Sequence, residues 1–307
     1  MHPSMVLLIV AVAGTAVVHG HPATNTPAAQ FWQQALPGTK MPETIADLVQ
    51  KGIDHSPLVE HYSALPSISV CTLFNSVCNP RSVAETGIFF HEEQLHPGST
   101  MTLSFPAEAQ TAILPRDVAE KVPFGNLGDV LAAFKIPAGS GEAAQVRDTI
   151  SRCQEPPVAG EVKACTISLE STVQSAMDML GIGSTTNHGV WAATSVLPRG
   201  GLPRQQYLVQ VVTPLEGSRY VSCHKVPFPY GVFQCHIKQG YRAYVVSLRG
   251  LHGGPAASML AFCHVDTSSW NPAHPAFEIL NTRPGGTPVC HFMPYGGMAF
   301  VKKAGRA

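Results

Sequence analysis

Every cysteine in the last third of this chain is followed by a histidine. The dipeptides are Cys223-His224, Cys235-His236, Cys263-His264 and Cys290-His291, separated by ten, twenty-six and twenty-five residues. Three of them lie in or beside alternating apolar runs, "YVSCH", "VFQCH" and "MLAFCHV". Successive side chains of a strand point to opposite faces, so each dipeptide presents a thiol to one face and an imidazole to the other. In an oxidising compartment the thiol serves most economically as half of a disulfide. The four histidines are then left to face a shared pocket.

Composition bears on what surrounds these strands. A chain of 307 residues buries one large core or two ordinary ones. Only 13% of residues are charged, while 27 Gly and 26 Pro favour turns and short strands over long helices. The formal net charge is zero with histidine neutral, which excludes a global field for nucleic acid or an anionic membrane. Fourteen histidines make that charge movable, so a mildly acidic compartment turns the chain cationic.

Residues 5–18 are apolar and too short to span a bilayer comfortably. With Val18 and Gly20 at small-residue positions, they read as a signal peptide over 1–20, leaving a secreted chain that starts at His21. A membrane anchor or a buried helix is the alternative. No second run of this kind follows, so no membrane association is expected after cleavage. Secretion makes the eight cysteines legible as disulfide halves: Cys71, Cys78, Cys153, Cys165, Cys223, Cys235, Cys263 and Cys290. Four bridges allow 105 pairings. Local closure of Cys71–Cys78 and Cys153–Cys165 would leave the four dipeptide cysteines to pair among themselves. No Asn-x-Ser/Thr sequon occurs, so N-glycosylation is not expected.

Residues 21–80 differ from the remainder. "HPATNTPAAQ" reads as a linker, and one amphipathic helix carries Ile45, Leu48 and Val49 behind a Pro42-Glu43-Thr44 start, with Gly52 as its stop. Residues 81–307 read as the folded domain. "GIFFHEEQLHPGSTMTLSF" predicts a strand, a turn and a second strand through Met101, Leu103 and Phe105. Helices are predicted in "NLGDVLAAFKI", in "SGEAAQVRDTISRCQ" opened by Ser140 or Gly141, and in "SLESTVQSAMDMLG" between an N-cap at Ser168 and a stop at Gly181. Short strands follow to the last dipeptide. The fold class is α+β, with short helices in the N-terminal half, a β-rich C-terminal half and disulfide staples.

Several imidazoles without thiolates suit Cu(II), Zn(II) or Ni(II), and the stability order favours copper. Zinc fingers and ribbons use short C-x(2–4)-C knuckles, which are absent. The competing reading is that the histidines pack around the disulfides as ordinary half-buried side chains. His91, His96, His188, His252 and His274 are further candidates, His91 foremost, while Glu92 and Glu93 read as a solvated turn. There is no G-x-S-x-G elbow, H-E-x-x-H, P-loop or dinucleotide fingerprint.

The CH-x10-CH-x26-CH-x25-CH ladder resembles the signature of the plant BURP-domain family. Phe89-Phe90, Leu114-Pro115-Arg116, Pro123-Phe124 and "CQEPPVAGEVKACTISLES" are similar to further family segments, and "FWQQALPGTKMP" to the short stretch after the leader. The resemblance covers almost everything from residue 31, with a variable spacer at about 53–80. It departs at Phe300, where the family usually carries a tryptophan nine positions after the last dipeptide, so an indole N–H donor is lost. The resemblance implies a BURP-domain fold and a secreted protein of the cell wall or apoplast, acting in development or stress responses, with wall polysaccharide or wall protein as partner. Some members are copper-dependent cyclases that crosslink a Tyr or Trp side chain of a peptide. From those, copper ligation carries over to His224, His236, His264 and His291. Tyr62 and Trp32 are the aromatic residues that a built-in substrate would offer, and neither lies in a repeated core. No catalytic residue follows from the sequence.

Overall fold

The short alternating runs become two antiparallel sheets. The computed structural model describes residues 26–54, 80–107, 111–182 and 189–303. The leader over 1–20, Tyr62, Cys71, Cys78 and His188 lie outside them. The first sheet contains β1 (Phe89–Phe90), β2 (Thr100–Pro106), β5 (Gly201–Pro214), β8 (Tyr241–Gly250), β9 (Ala257–His264) and β10 (Val289–Met293), in the order β1-β10-β9-β8-β5-β2. The second contains β3 (Glu161–Thr166), β4 (Val190–Thr194), β6 (Arg219–Val226), β7 (Val232–Lys238) and β11 (Met298–Lys302), in the order β3-β7-β6-β11-β4.

Register places the dipeptides as strand alternation predicts. Cys223 stands directly opposite Cys235 on β6 and β7, and Cys263 directly opposite Cys290 on β9 and β10. Both pairs are disulfides with Cα atoms about 4 Å apart, 3.9 and 4.0 Å. The third bridge, Cys153–Cys165, ties β3 to the helix before it. The four dipeptide cysteines therefore pair among themselves and Cys153 pairs locally, both as expected.

The two sheets pack face to face. Ala243, Leu260, Phe262 and Met293 of the first sheet meet Ala299 and Val301 of the second in one buried cluster. The cysteine faces point outward and are covered by helices. Over the second sheet lie α1 (Pro27–Ala35), α2 (Glu43–Asp54) and α7 (Leu169–Met179), whose Trp32, Leu36, Ile45, Leu48, Leu169 and Val173 bury Cys223, Phe233 and Phe300. Over the first lie α3 (Pro80–Ala84) and α8 (Pro275–Ile279), with Val83 and Phe277 against Cys263, Cys290 and Phe292. Three more helices, α4 (Arg116–Ala119), α5 (Leu127–Ala133) and α6 (Gly141–Gln154), form a separate cluster around Phe228, Tyr230 and Val232.

The chain passes from β10 of one sheet to β11 of the other through residues 294–297, where Gly296 takes φ +83°, a conformation that costs glycine little. The expected caps are present, Ser140 and Ser168 each accepting the backbone N–H three residues on and Gly181 taking φ +68° after α7, and Asn126 caps α5 in the same way.

Two local expectations change. The run read as a linker contains the start of α1, where Thr26 Oγ1 accepts the Ala29 N–H and Pro27 opens the first turn. The polar composition hides this because a nine-residue helix with one buried tryptophan needs little apolar periodicity. Gly52 does not stop α2, which continues to Asp54. It lies beneath residue 113, and a Cβ there would come within 1.9 Å of the Ile113 carbonyl oxygen. The glycine serves a close backbone approach and is not a terminator.

Candidate metal centre between the sheets

On the inner faces, register puts imidazoles where the outer faces hold sulfur. His224 and His236 project from β6 and β7 of the second sheet, and His264 and His291 from β9 and β10 of the first. All four are buried. Ring centroids are 5.3 Å apart for His224–His236, 5.6 Å for His224–His291 and 5.2 Å for His264–His291. The structure thus brings together the four residues singled out from the sequence, two from each sheet.

Their hydrogen bonds fix which nitrogens carry protons. His291 Nδ1 lies 3.1 Å from the Phe292 carbonyl oxygen, which only accepts, so Nδ1 is the protonated nitrogen. Burial, chiefly, lowers the His291 pKa to about 4, so the ring is neutral near pH 7 and its Nε2 is bare. His264 Nε2 lies 3.1 Å away and donates to it. The neutral His264 ring then has a bare Nδ1, which is buried and finds no partner. On His236, Nδ1 donates to Glu161 Oε1 at 2.8 Å, leaving Nε2 buried and unpartnered. Burial, reinforced by its imidazole neighbours, also holds His224 and His264 well below the ordinary histidine pKa.

The donor set suits a divalent metal of the borderline class. Ligand nitrogens about 2.0–2.1 Å from a four-coordinate ion stand roughly 3.3 Å from one another, close to the 3.1 Å between His264 and His291. As placed, no three His, Cys, Asp or Glu side chains among the described residues form a group that could hold a metal ion. Loading therefore requires loss or relocation of the proton shared by His264 and His291, together with convergence of the rings.

The imidazoles line one wall of a cavity of about 170 Å³. Its lining includes Tyr241, Trp270 and His274 and runs outward to the exposed Glu155, Pro156 and Asn271. Tyr241 packs its ring edge on His264, centroids 4.6 Å apart, with burial and the Glu161 charge raising its pKa. Trp270 covers His264 at 4.7 Å and His274 at 4.6 Å. Glu161, Tyr241 and Trp270 were not singled out from sequence. Glu161 lies seventy-five residues before His236, and only strand pairing joins them.

The other histidines are placed differently. His274 reaches the cavity while its Nδ1 accepts the Ala276 N–H at the start of α8. His91 stands away from the cluster, its Nε2 contacting the Leu280 carbonyl at 3.1 Å, and His96 and His252 are exposed. Glu92, expected on a solvated turn, instead accepts hydrogen bonds from Arg242 and Tyr244. The Arg242 hydrogen bond in particular keeps its pKa lowered against partial burial.

Residues 88–302 match the model of a family described as BURP domain. Protein RAFTIN 1A of Triticum aestivum is 41% identical over 253 residues, covering 81% of this chain and 64% of the relative. BURP domain protein RD22 of Arabidopsis thaliana is 39% identical, covering 67% of this chain and 53% of that one. BURP domain-containing protein 2 of Oryza sativa subsp. japonica is 35% identical over 311 residues, covering 97% and 98%. The chain spans about half to two thirds of the length of several relatives it matches.

Proposed function

The chain belongs to the plant BURP-domain family, and from that premise we propose a secreted protein of the cell wall or apoplast that holds copper on His224, His236, His264 and His291 and acts in development or stress responses. Wall polysaccharide or wall protein is its partner. The observation that carries the copper assignment is the convergence of four imidazoles from two sheets, with His264 Nε2 and His291 Nε2 at near-ligand spacing and His236 Nε2 buried and unpartnered. Such an orphaned nitrogen costs free energy unless something takes its lone pair. Three disulfides support passage through an oxidising compartment. Among the described residues no helix is long and apolar enough to cross a membrane.

A copper ion bound here would supply one-electron redox chemistry and reactivity toward dioxygen. The protein's own part is to hold His224, His264 and His291 neutral by burial and to exclude bulk water from the cluster. A second reading, a copper-dependent peptide cyclase, draws support from the cavity that joins the imidazoles to exposed residues past Tyr241 and Trp270. A Tyr or Trp side chain of a peptide entering there would lose one hydrogen, its partner position another, and a bond would form between them. Dioxygen would be the oxidant, taking up the two electrons and two protons as hydrogen peroxide.

Metal analysis of the chain expressed through a secretory pathway tests the first reading. About one copper or more per chain is expected, and its loss in His224→Ala and His264→Ala variants. Substoichiometric metal in a disulfide-intact protein that also refuses added Cu(II) overturns it. For the second, aromatic peptides incubated with copper-loaded protein in air should emerge two hydrogens lighter, and unchanged masses reject it.

A further inference from the structure

The geometry points to Glu161 as a positioning residue: it fixes the proton of His236 on Nδ1 and thereby presents Nε2 to the metal. The inference rests on the copper assignment above and goes beyond it by naming the residue that sets one donor atom.

Glu161 opens β3 and pairs in register with Lys238, while Lys163 pairs with His236. Directly opposed residues share a face, so Glu161 is the diagonal same-face neighbour of His236, within reach of a long side chain. Both carboxylate oxygens are engaged: Oε1 accepts from His236 Nδ1 at 2.8 Å and Oε2 from the Val158 N–H at 3.3 Å. The carboxylate is held before any ligand arrives.

Among the buried ring nitrogens of the cluster, His236 Nε2 is the one whose state a carboxylate dictates. A free imidazole can carry its proton on either nitrogen. With the proton on Nε2, the atom facing the cavity would be a donor and could not ligate until it ionised. Glu161 removes that alternative. It also places a negative charge behind the ligand, raising its basicity toward a dication, as carboxylates behind metal-bound histidines do elsewhere. Glu155 is the other carboxylate lining the cavity, and its ion pair is with Arg152 at the exposed rim.

Two variants and two readouts test this. Glu161→Gln keeps shape and one acceptor oxygen, and Glu161→Leu removes both acceptor and charge. In metal-free protein, long-range proton–nitrogen NMR should find His236 as the Nδ1–H tautomer in wild type and shifted toward Nε2–H in Glu161→Leu, with the Gln variant between. Copper affinity by competition with a chelator of known strength should fall by about 10–100-fold in Glu161→Leu and by less in Glu161→Gln. A folded Leu variant that keeps the Nδ1–H tautomer, or a Gln and Leu pair both binding copper within twofold of wild type, overturns the assignment. If wild type itself binds no copper, the metal reading fails, while the tautomer experiment still decides what Glu161 does to His236.

Discussion

Replacing Trp32 with alanine tests how far the fold extends beyond the family-matched segment. Trp32 sits in α1, well before residue 88 where that match begins, yet it is 0% exposed and packs against Phe300 of β11 with ring centroids 6.4 Å apart. Its Nε1–H donates to the Thr39 carbonyl at 2.9 Å. Truncating a fully buried tryptophan costs about 3–5 kcal/mol. The orphaned Thr39 carbonyl adds about 1 kcal/mol or less, because Thr39 is half-buried and water can reach it. A loss of about 3–6 kcal/mol lowers Tm by roughly 10 °C in a domain of this size. Guanidinium and thermal unfolding of the purified chain would read it; the folded fraction should keep whatever metal the proposed site takes, because Trp32 lies on the sulfur side of the second sheet. A change below about 1 kcal/mol, or loss of helical signal in a separate early transition, would show that α1 is an appendage and refute the shared core.

Two further outcomes follow from the site itself. In metal-free protein, His291 has a folded pKa of about 4 against about 6.5 unfolded, so between those values the unfolded chain binds more protons and stability falls with falling pH. The contribution is complete above pH 6.5 and about 3 kcal/mol smaller by pH 4; denaturation midpoints across that range should show the slope, and a His291→Gln variant that leaves it unchanged would contradict the assignment. Removing the Cys263–Cys290 bridge, which spans 27 residues, as a Cys263→Ala/Cys290→Ala double variant should cost about 3–4 kcal/mol and weaken copper uptake, because His264 and His291 directly follow these cysteines; undiminished uptake would separate the staple from the site.

The site was legible in sequence to the extent that strand alternation carries it. A Cys-His dipeptide on a strand states that sulfur and imidazole go to opposite faces, and the pairings Cys223–Cys235 and Cys263–Cys290 follow once those strands are neighbours. Which strands are neighbours was not legible. β10 and β11 are adjacent in the chain but belong to different sheets, and Pro294, Gly296 and Gly297 between them announce a turn without saying that the chain changes sheet. For the same reason Glu161 was invisible, since its meaning depends on β3 pairing with β7. Trp32 was quoted as part of a family-like stretch and weighed as a substrate side chain, but its burial against Phe300 is a tertiary fact with no local signature. The indole lost at position 300 leaves a phenyl ring that is fully enclosed, so its place is filled by packing alone.

The position of β10 and β11 within their sheets also governs the order of assembly. Each is an interior strand, β10 between β1 and β9 and β11 between β6 and β4, and both come from residues 289–302. A nascent chain ending before residue 289 would own three of the four imidazoles but have neither sheet closed, with β1 and β4 left without the strands they pair to. Closure is therefore a late event: the polypeptide must be nearly whole before either layer can be sealed, and an imidazole presented earlier would sit in an unfinished vessel.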